Sequence, residues 1–352
     1  MGSTLKELSD RICPSINAKC GNGMPVLAAL VDRKLVSLDY KVINPHNVEF
    51  IGYDHPDGRR TYIRSLCFVL QNVIREMYPD KVLAIDYSLP SGLYCEIREL
   101  ASMEDGRPHV YFVTDEELEK IEAKMREMVE ADIQYGKTMM SIDECEKLFG
   151  ANHQTEKVNL LKTLGRYHYN VYFLDGHADT FYGPLAPSTG CLKTFNLAGF
   201  NDGFCLQYPM DGDYDKVLPM KRQSKLATAL KGYSDWCSIM GVRGVGSLNN
   251  KVLSGEIIDL INLSEALHER KYADIADQIY ERRGSVKIVF IAGPSSSGKT
   301  STSKRLALQC RILGLNPKVI ELDNYFVDRE FTPRDENGEF DFECLGAMDL
   351  ML

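Results

Sequence analysis

Apolar residues recur three and four apart in "IRSLCFVLQNVIREMY", where Ile63, Leu66, Val69, Val73 and Met77 fall on one helical face. The same spacing in "TDEELEKIEAKMREMVE" brings Leu118, Ile121, Met125 and Val129 together, and Thr114 and Glu117 precede them in capping-box register. Both segments are predicted helices. Short apolar runs ("VLAIDYS", "GLYCEI", "HVYFV", "NVYFLD") read as strands and "YGPLAPSTG" as turns, so residues 61 to 209 are expected to form an α+β domain. Ahead of them, residues 1 to 60 set "MPVLAALVD", "KLVSLDYKV" and "VEFIGY" among Gly, Asn, Asp and Pro, a pattern for a small β-rich unit with little room for long helices.

Residues 210 to 284 return to a helical period in "IIDLINLSEALHERKYADIADQIYERR", with "GVRGVGS" as a Gly-rich break, and predict a helical connector with "GVRGVG" as its hinge. From Ser285 to residue 352 the order is strand "VKIVFIA", loop "GPSSSG", helix "KTSTSKRLALQCRILG" and strand "NPKVIELD", the opening β-α-β unit of a parallel α/β domain. The expected fold is therefore multidomain, α+β in front and α/β at the end.

Composition narrows this little. The chain has 352 residues, 44% hydrophobic and 26% charged, ordinary for a globular protein of two or three domains. A net charge of -9 excludes general charge neutralisation as a way of holding nucleic acid, so an RNA partner requires a local patch. The ten cysteines (Cys13, Cys20, Cys67, Cys95, Cys145, Cys191, Cys205, Cys237, Cys310, Cys344) contain no C-x-x-C pair and read as reduced, mostly buried thiols. "MGSTLKELSD" has no apolar signal core and no apolar run reaches membrane-spanning length; the expectation is a cytoplasmic chain without a membrane partner.

The chemistry concentrates in Gly293 to Thr300, which matches G-x-x-x-x-G-K-[ST] with an apolar run before it and a helical pattern after it. Gly293 and Gly298 allow the backbone to curl so that successive N–H groups face inward, and the following helix presents its positive end. Lys299 has the reach for the β- and γ-phosphates, and the Thr300 hydroxyl suits Mg²⁺. Pro294, Ser295, Ser296, Ser297 and Ser301 complete the nucleotide-binding set. Asp323, in "ELDNYF" at the carboxyl end of the next expected strand, either takes a proton from an attacking hydroxyl or caps a turn before Tyr325.

"FIAGPSSSGKTS" followed by "LDNYFVDREFTPRDENGEFDFE" resembles the uridine kinase and phosphoribulokinase group, whose phosphate loop is succeeded by an Asp-x-(Tyr/Phe)-(Tyr/Phe) motif. The resemblance covers about the last 70 residues. It implies that Asp323 is the catalytic base, acting with Lys299, that ATP and Mg²⁺ are the cofactors, and that a nucleoside, uridine or cytidine, receives the γ-phosphoryl on its 5′-hydroxyl.

"LVDRKLVSLDYKV" and "VEFIGYDHPDGRR" resemble a TGS-type β-grasp module, and residues 61 to 209 are similar to the second additional domain of threonyl-tRNA synthetases through "YPDKVLAIDYSLPSGLYCEI", "TDEELEKIEAKMREMV" and "YGPLAPSTG". The whole order resembles a bacterial class of nucleoside kinases. In the synthetase domain, editing depends on a His-x-x-x-His pair and a later Cys-x-x-x-His pair. Here Arg64 and Phe68 stand at the first pair and Phe181 and Leu185 at the second, so the resemblance implies no hydrolytic editing.

Weaker signals are assigned to surface. His55, His168 and His177 repeat no ligand spacing, and Lys221, Arg222 and Lys225 read as a solvated helix face in preference to an RNA-binding run. A kinase of this group needs further parallel strands, a nucleoside pocket, a second acidic residue and a lid, which "FVDREFTPRDENGEFDFECLGAMDLML" is too short to supply. The leading expectation is thus an incomplete, ATP-binding kinase fragment with an exposed sheet edge. The alternative is a nucleotide-regulated RNA- or tRNA-binding module without catalysis.

Overall fold

The computed structural model describes residues 2–16, 25–100, 109–210, 214–221 and 223–351, and of residues 13–16 the backbone alone. Cys20 and Arg222 lie outside the described residues, as does the side chain of Cys13. The chain divides into two compact units, residues 1–254 and 255–352. Every sheet ladder among the described residues is antiparallel.

The first unit opens with β1 (Ser3–Thr4), α1 (Leu5–Ile16), β2 (Ala28–Val31), β3 (Lys34–Val36), β4 (Lys41–Val42) and β5 (Val48–Ile51). β1 pairs with β4, and β3-β2-β5 form a three-stranded sheet. Leu5 packs with Ala29, Val31 and Leu38 in a small core of its own. The 12-residue α1 corrects the expectation that this stretch has little room for long helices. Its start was encoded: Thr4 and Glu7 cap each other, with the Thr4 N–H donating to Glu7 Oε2 at 3.1 Å and the Glu7 N–H to Thr4 Oγ1 at 3.2 Å.

The next helix, α2 (Pro56–Met77), begins within "DHPDGRR". His55 Nδ1 accepts from the Asp57 N–H at 3.1 Å and Pro56 supplies a preset φ, so the boundary signal is a histidine cap plus Pro in the first turn. β6 (Lys81–Leu89), β7 (Gly92–Glu99) and β8 (Val110–Tyr111) follow, then α3 (Asp115–Glu130) with the expected capping box formed in full. Leu118, Ile121, Met125 and Val129 are all buried, as their spacing requires.

Glu117 of that box accepts from Tyr111, then from the Thr114 backbone and hydroxyl, which holds its carboxyl below the ordinary glutamate range. A lowered carboxyl pKa adds stability that is complete above the unfolded value and is lost as pH falls through the folded one. Protection of the amides in the first turn of α3, taken relative to the intrinsic exchange rate at each pH, should therefore fall as the solution is acidified through that interval. Protection that stays flat would show that the box does not hold the turn.

Further along come β9 (Gly136–Ser141), α4 (Ile142–Ala151), α5 (Thr155–Thr163), β10 (His168–Leu174), β11 (His177–Thr180), β12 (Asn196–Phe200) and β13 (Gly203–Gln207). β12-β13-β7-β6, with β8 on β7, make a five-stranded sheet, and β11-β10-β9 a three-stranded one. α2 and α3 share the main core with Cys95, Ile97, Phe204 and Leu206 of the larger sheet. Leu27 and Tyr53 belong to that same core, so the segments just before β2 and just after β5 are packed onto the α+β body.

α6 (Ser224–Ile239) and α7 (Val245–Ser254) close this unit. α6 is held to the larger sheet by charge: Lys231 lies 3.4 Å from Glu96, which is 3% exposed and pairs at 2.8 Å with Arg98, itself in close contact with Asp86. A Cβ on Gly246 would stand 2.5 Å from the Glu156 carbonyl oxygen and 2.6 Å from the Leu160 nitrogen. The glycine-rich break is therefore the place where α7 meets the backbone of α5, a contact instead of the expected hinge.

The second unit holds α8 (Ile257–Glu281) and α9 (Lys299–Ile312). They pack through Ala276, Leu306 and Cys310, with Arg305 and Gln309 both on Glu269, at 2.7 and 3.0 Å. The flanking strands of the predicted β-α-β unit do not form. Residues 286–292 and 316–321 carry neither helix nor strand, and Ile288, Phe290 and Ile320 are 70%, 85% and 67% exposed. A parallel strand is stable only with both faces covered and neighbours to bond, and the described residues provide neither. Among the described residues, no helix is long and apolar enough to cross a membrane.

Candidate functional site

Two places gather the residues singled out above, one in each unit. In the first unit α2 runs beneath the loop of residues 181–187, and that loop is stapled to it by polar contacts. Arg64 donates through Nε and Nη2 to the Pro184 carbonyl at 3.2 and 3.0 Å, the Ala186 N–H donates to Ser65 Oγ at 2.8 Å, and the Tyr135 hydroxyl donates to the Ser65 carbonyl at 3.2 Å. Gly183 sits at φ 127, with the Arg64 guanidinium where a Cβ would be, so both the backbone angle and the space require glycine.

This arrangement brings Arg64, Phe68, Phe181 and Leu185 to one place. The Phe68 and Phe181 rings are 5.2 Å apart, Phe68 stacks on Tyr135 at 6.0 Å, and Leu185 is 3% exposed. The positions inferred from resemblance are neighbours in space, and what fills them is two phenyl rings, an isobutyl group and a guanidinium tied to a carbonyl. None of these moves a proton near neutral pH or ligates a metal.

A cleft opens beside that apolar floor, in two compartments of about 190 and 330 Å³. Thr4, Lys6 and Gln134 line the first; Tyr40, Asn170 and Phe181 line the second. Between the compartments stand Ser37, Asp39, Lys137 and Tyr172. Burial, reinforced by Asp39 and opposed by Arg64, pushes the Tyr172 hydroxyl up to about 12, and it donates to the Gly183 carbonyl at 3.3 Å. Sequence reasoning missed this cleft. Its lining comes from residues 4–6, 35–40, 134–137, 170–172 and 181–187, which no single motif spans.

In the second unit residues 293–298 form a tight loop at the start of α9, although 286–292 and 316–321 carry no strand. Gly298 adopts φ 83, ψ 18 and caps α9 without a side-chain bond, leaving the first N–H groups of the helix pointing out. Ser296 is also left-handed, at φ 59, and a Cβ on Gly293 would meet Ser297 Oγ at 2.7 Å. The loop is thus a tight cup. Lys299 folds over it, its ammonium donating to the Gly293 and Pro294 carbonyls at 2.8 and 3.0 Å. Pro294, Ser295, Ser297 and Thr300 are exposed around it, and Ser301 continues the helix.

Asp323 lies exposed in a 3-10 turn, Leu322–Tyr325, where a strand end was expected, and the Lys299 ammonium has loop carbonyls for partners. No group of three or more His, Cys, Asp or Glu able to hold a metal occurs among the described residues. His55 caps α2, and His168 and His177 sit on β10 and β11. Cys67, Cys95, Cys145, Cys191, Cys205, Cys237, Cys310 and Cys344 carry free thiols, and burial raises those of Cys67 and Cys205 to about 12, far from nucleophilic.

No family model matches the chain. Among curated proteins it is similar to threonine–tRNA ligases. It is 30% identical over 172 residues to that of Clostridium kluyveri, covering 49% of this chain and 25% of the ligase. The threonine–tRNA ligase of Pelobacter propionicus is 28% identical over 196 residues, and threonine–tRNA ligase 2 of Bacillus subtilis 25% over 197; each match covers 56% of this chain and 28% of the ligase. The chain thus spans about a quarter of the length of the curated relatives it matches.

These relatives bear out the synthetase-like part of the sequence reading and overturn the kinase part. They are tRNA ligases and not nucleoside kinases, so the assignments of nucleoside kinase, of uridine or cytidine as substrate, and of γ-phosphoryl transfer are withdrawn. The role of Asp323 as base belonged to that reaction and goes with it.

Proposed function

We propose that this chain is an RNA-binding module of the tRNA-recognising kind, without catalysis, and that nucleotide binding at residues 293–301 regulates it. The observation that carries this reading is the cleft in the first unit. Phe181 and Leu185 of the apolar cluster line it together with the rings of Tyr40 and Tyr172, and the cations Lys6 and Lys137 stand in the same lining. Cations for phosphate and an aromatic edge for a base are what a single-stranded RNA end needs. Similarity to threonine–tRNA ligases supports the same partner. On this reading residues 1–60 are TGS-like, 61–209 synthetase-like and 210–284 a helical connector, with the phosphate loop in 285–352.

The loop suits a nucleotide. Gly293, Gly298 and the α9 N-terminus form the cup, Lys299 would exchange its carbonyl partners for phosphate oxygens, and the Thr300 hydroxyl would share Mg²⁺ with them. ATP with Mg²⁺ is the proposed ligand.

Because the chain is acidic overall, RNA affinity should come from few contacts and fall with salt at a slope of about −0.7 per phosphate engaged, roughly −1.4 to −2 for two or three. Fluorescence anisotropy of labelled, unfractionated tRNA titrated with the full chain at several salt concentrations measures this. Absence of binding at low salt would remove the proposal.

A further inference from the structure

The cleft is partitioned by its own side chains. Lys137, at the start of β9, reaches across to the loop after β3, where its ammonium stands 3.1 Å from Ser37 Oγ and 3.4 Å from Asp39 Oδ2. Ser37 in turn donates to Asp39 Oδ1 in close contact. On its other side the ammonium is 5.9 Å from the centroid of the Tyr172 ring. All four residues line both compartments, so this bridge is the wall between them.

The bridge joins two parts of the first unit that are otherwise separate in sequence, and it is built to give way. The Asp39 side chain is 57% exposed against 29% for Lys137. A pair with one partner so far in water contributes little to stability, because the carboxylate loses almost nothing when it swings into solvent. A phosphate arriving in the cleft offers Lys137 more acceptor oxygens than Asp39 does, while Asp39, left in place, repels it.

We propose that Asp39 is an internal competitor for the RNA phosphate: RNA enters the cleft by taking Lys137 from Asp39, and the two compartments become one. Ser37 then turns its hydroxyl from the carboxylate to the phosphate. This inference rests on the RNA-binding reading above. It adds to it which cation receives the phosphate and what holds that cation beforehand.

The test is tRNA affinity of the full chain carrying Asp39→Asn, which keeps the size and the hydrogen bond to Ser37 and removes the competing charge. Binding should tighten by about two- to fivefold, the range an exposed ion pair spans. Glu49→Gln is the control, since Glu49 is exposed on β5, outside the cleft lining, and changes net charge equally. It should leave affinity near wild type. In a Lys137→Met background, the gain from Asp39→Asn should shrink to what relief of direct repulsion brings, because the cation it frees is gone.

Equal gains from Asp39→Asn and Glu49→Gln, a gain undiminished without Lys137, or no gain at all would each overturn the competition while leaving tRNA binding itself intact. Failure of the wild type and every variant to bind tRNA would overturn both the competition and the reading on which it rests.

Discussion

Replacing Asp179 by alanine is expected to destabilise the first unit by about 3 kcal/mol at neutral pH, the lower end of the cost of breaking a buried ion pair. Asp179, on β11, is 2% exposed and in direct contact with the ammonium of Lys157 on α5. Burial, and then the neighbouring Arg75 guanidinium, push Lys157 down to about 7, and the Asp179 carboxylate in contact with it is the counter-charge for its protonated form. Around the pair lie Phe149, whose ring centroid is 5.4 Å from the ammonium, and the small core of Cys145, Leu161, Tyr169, Val171 and Ala178. Without Asp179, Lys157 either loses its proton or bends its 23% exposed side chain toward water, which places the loss at the low end.

The sign of the pH dependence separates this cause from loss of packing. Lys157 titrates at about 7 in the folded wild type and at the ordinary lysine value when unfolded, so the wild type itself gains stability as pH rises from 7 toward 10. Removing the Asp179 carboxylate lowers the folded value further, so the deficit of the variant relative to wild type should be largest below about pH 7 and shrink as pH rises through it. Denaturant unfolding followed through Trp236, the sole tryptophan, which lies in α6 of the same unit, reads this directly. A loss that is independent of pH would mean that the space, not the charge, was what mattered.

What the sequence made legible is what is local. The Thr114–Glu117 capping box with its four apolar positions gave α3 nearly to the residue, and "VLAIDYS" and "GLYCEI" became β6 and β7 because each finds its neighbour through a tight turn. α1 was equally local but was passed over, since Thr4 and Glu7 were not read as a cap. "VKIVFIA" shows the opposite limit. Its apolar run has the composition of a buried strand, yet a strand is a property of a pair, and no pairing partner for residues 286–292 lies among the described residues.

The two sites divide in the same way. The proposed phosphate loop is spelled out by eight consecutive residues whose glycines fix the backbone, so its cup forms even where no sheet supports it. The cleft depends on long-range packing. Arg64 and Pro184 are 120 residues apart in sequence and Lys137 and Ser37 are 100 apart, and neither bond can be read from spacing. Only an alignment of positions 64, 68, 181 and 185 on a family pattern pointed to that floor.

Lys299→Ala should weaken binding of ATP with Mg²⁺ by roughly 10- to 100-fold, the cost of about 1.5–3 kcal/mol for losing a charged hydrogen-bond partner. In the structure the ammonium lies across the cup, held by two carbonyls at 2.8 and 3.0 Å. Those bonds are to neutral acceptors, and a triphosphate replaces them with charged ones at the same position, so the gain on exchange is electrostatic. Lys299→Arg tests whether position matters beyond charge: the planar, larger guanidinium does not fit a cup closed by Gly293 against Ser297 and should recover little of the affinity. Both variants should bind tRNA as wild type does when nucleotide is absent, because the cleft belongs to residues 1–254 and the loop to 255–352. Calorimetric titration with ATP and Mg²⁺ beside anisotropy with tRNA separates the two sites. Undiminished nucleotide affinity in Lys299→Ala would show that residues 293–301 are not where the nucleotide binds, and nucleotide regulation would have to be given up while RNA recognition stood.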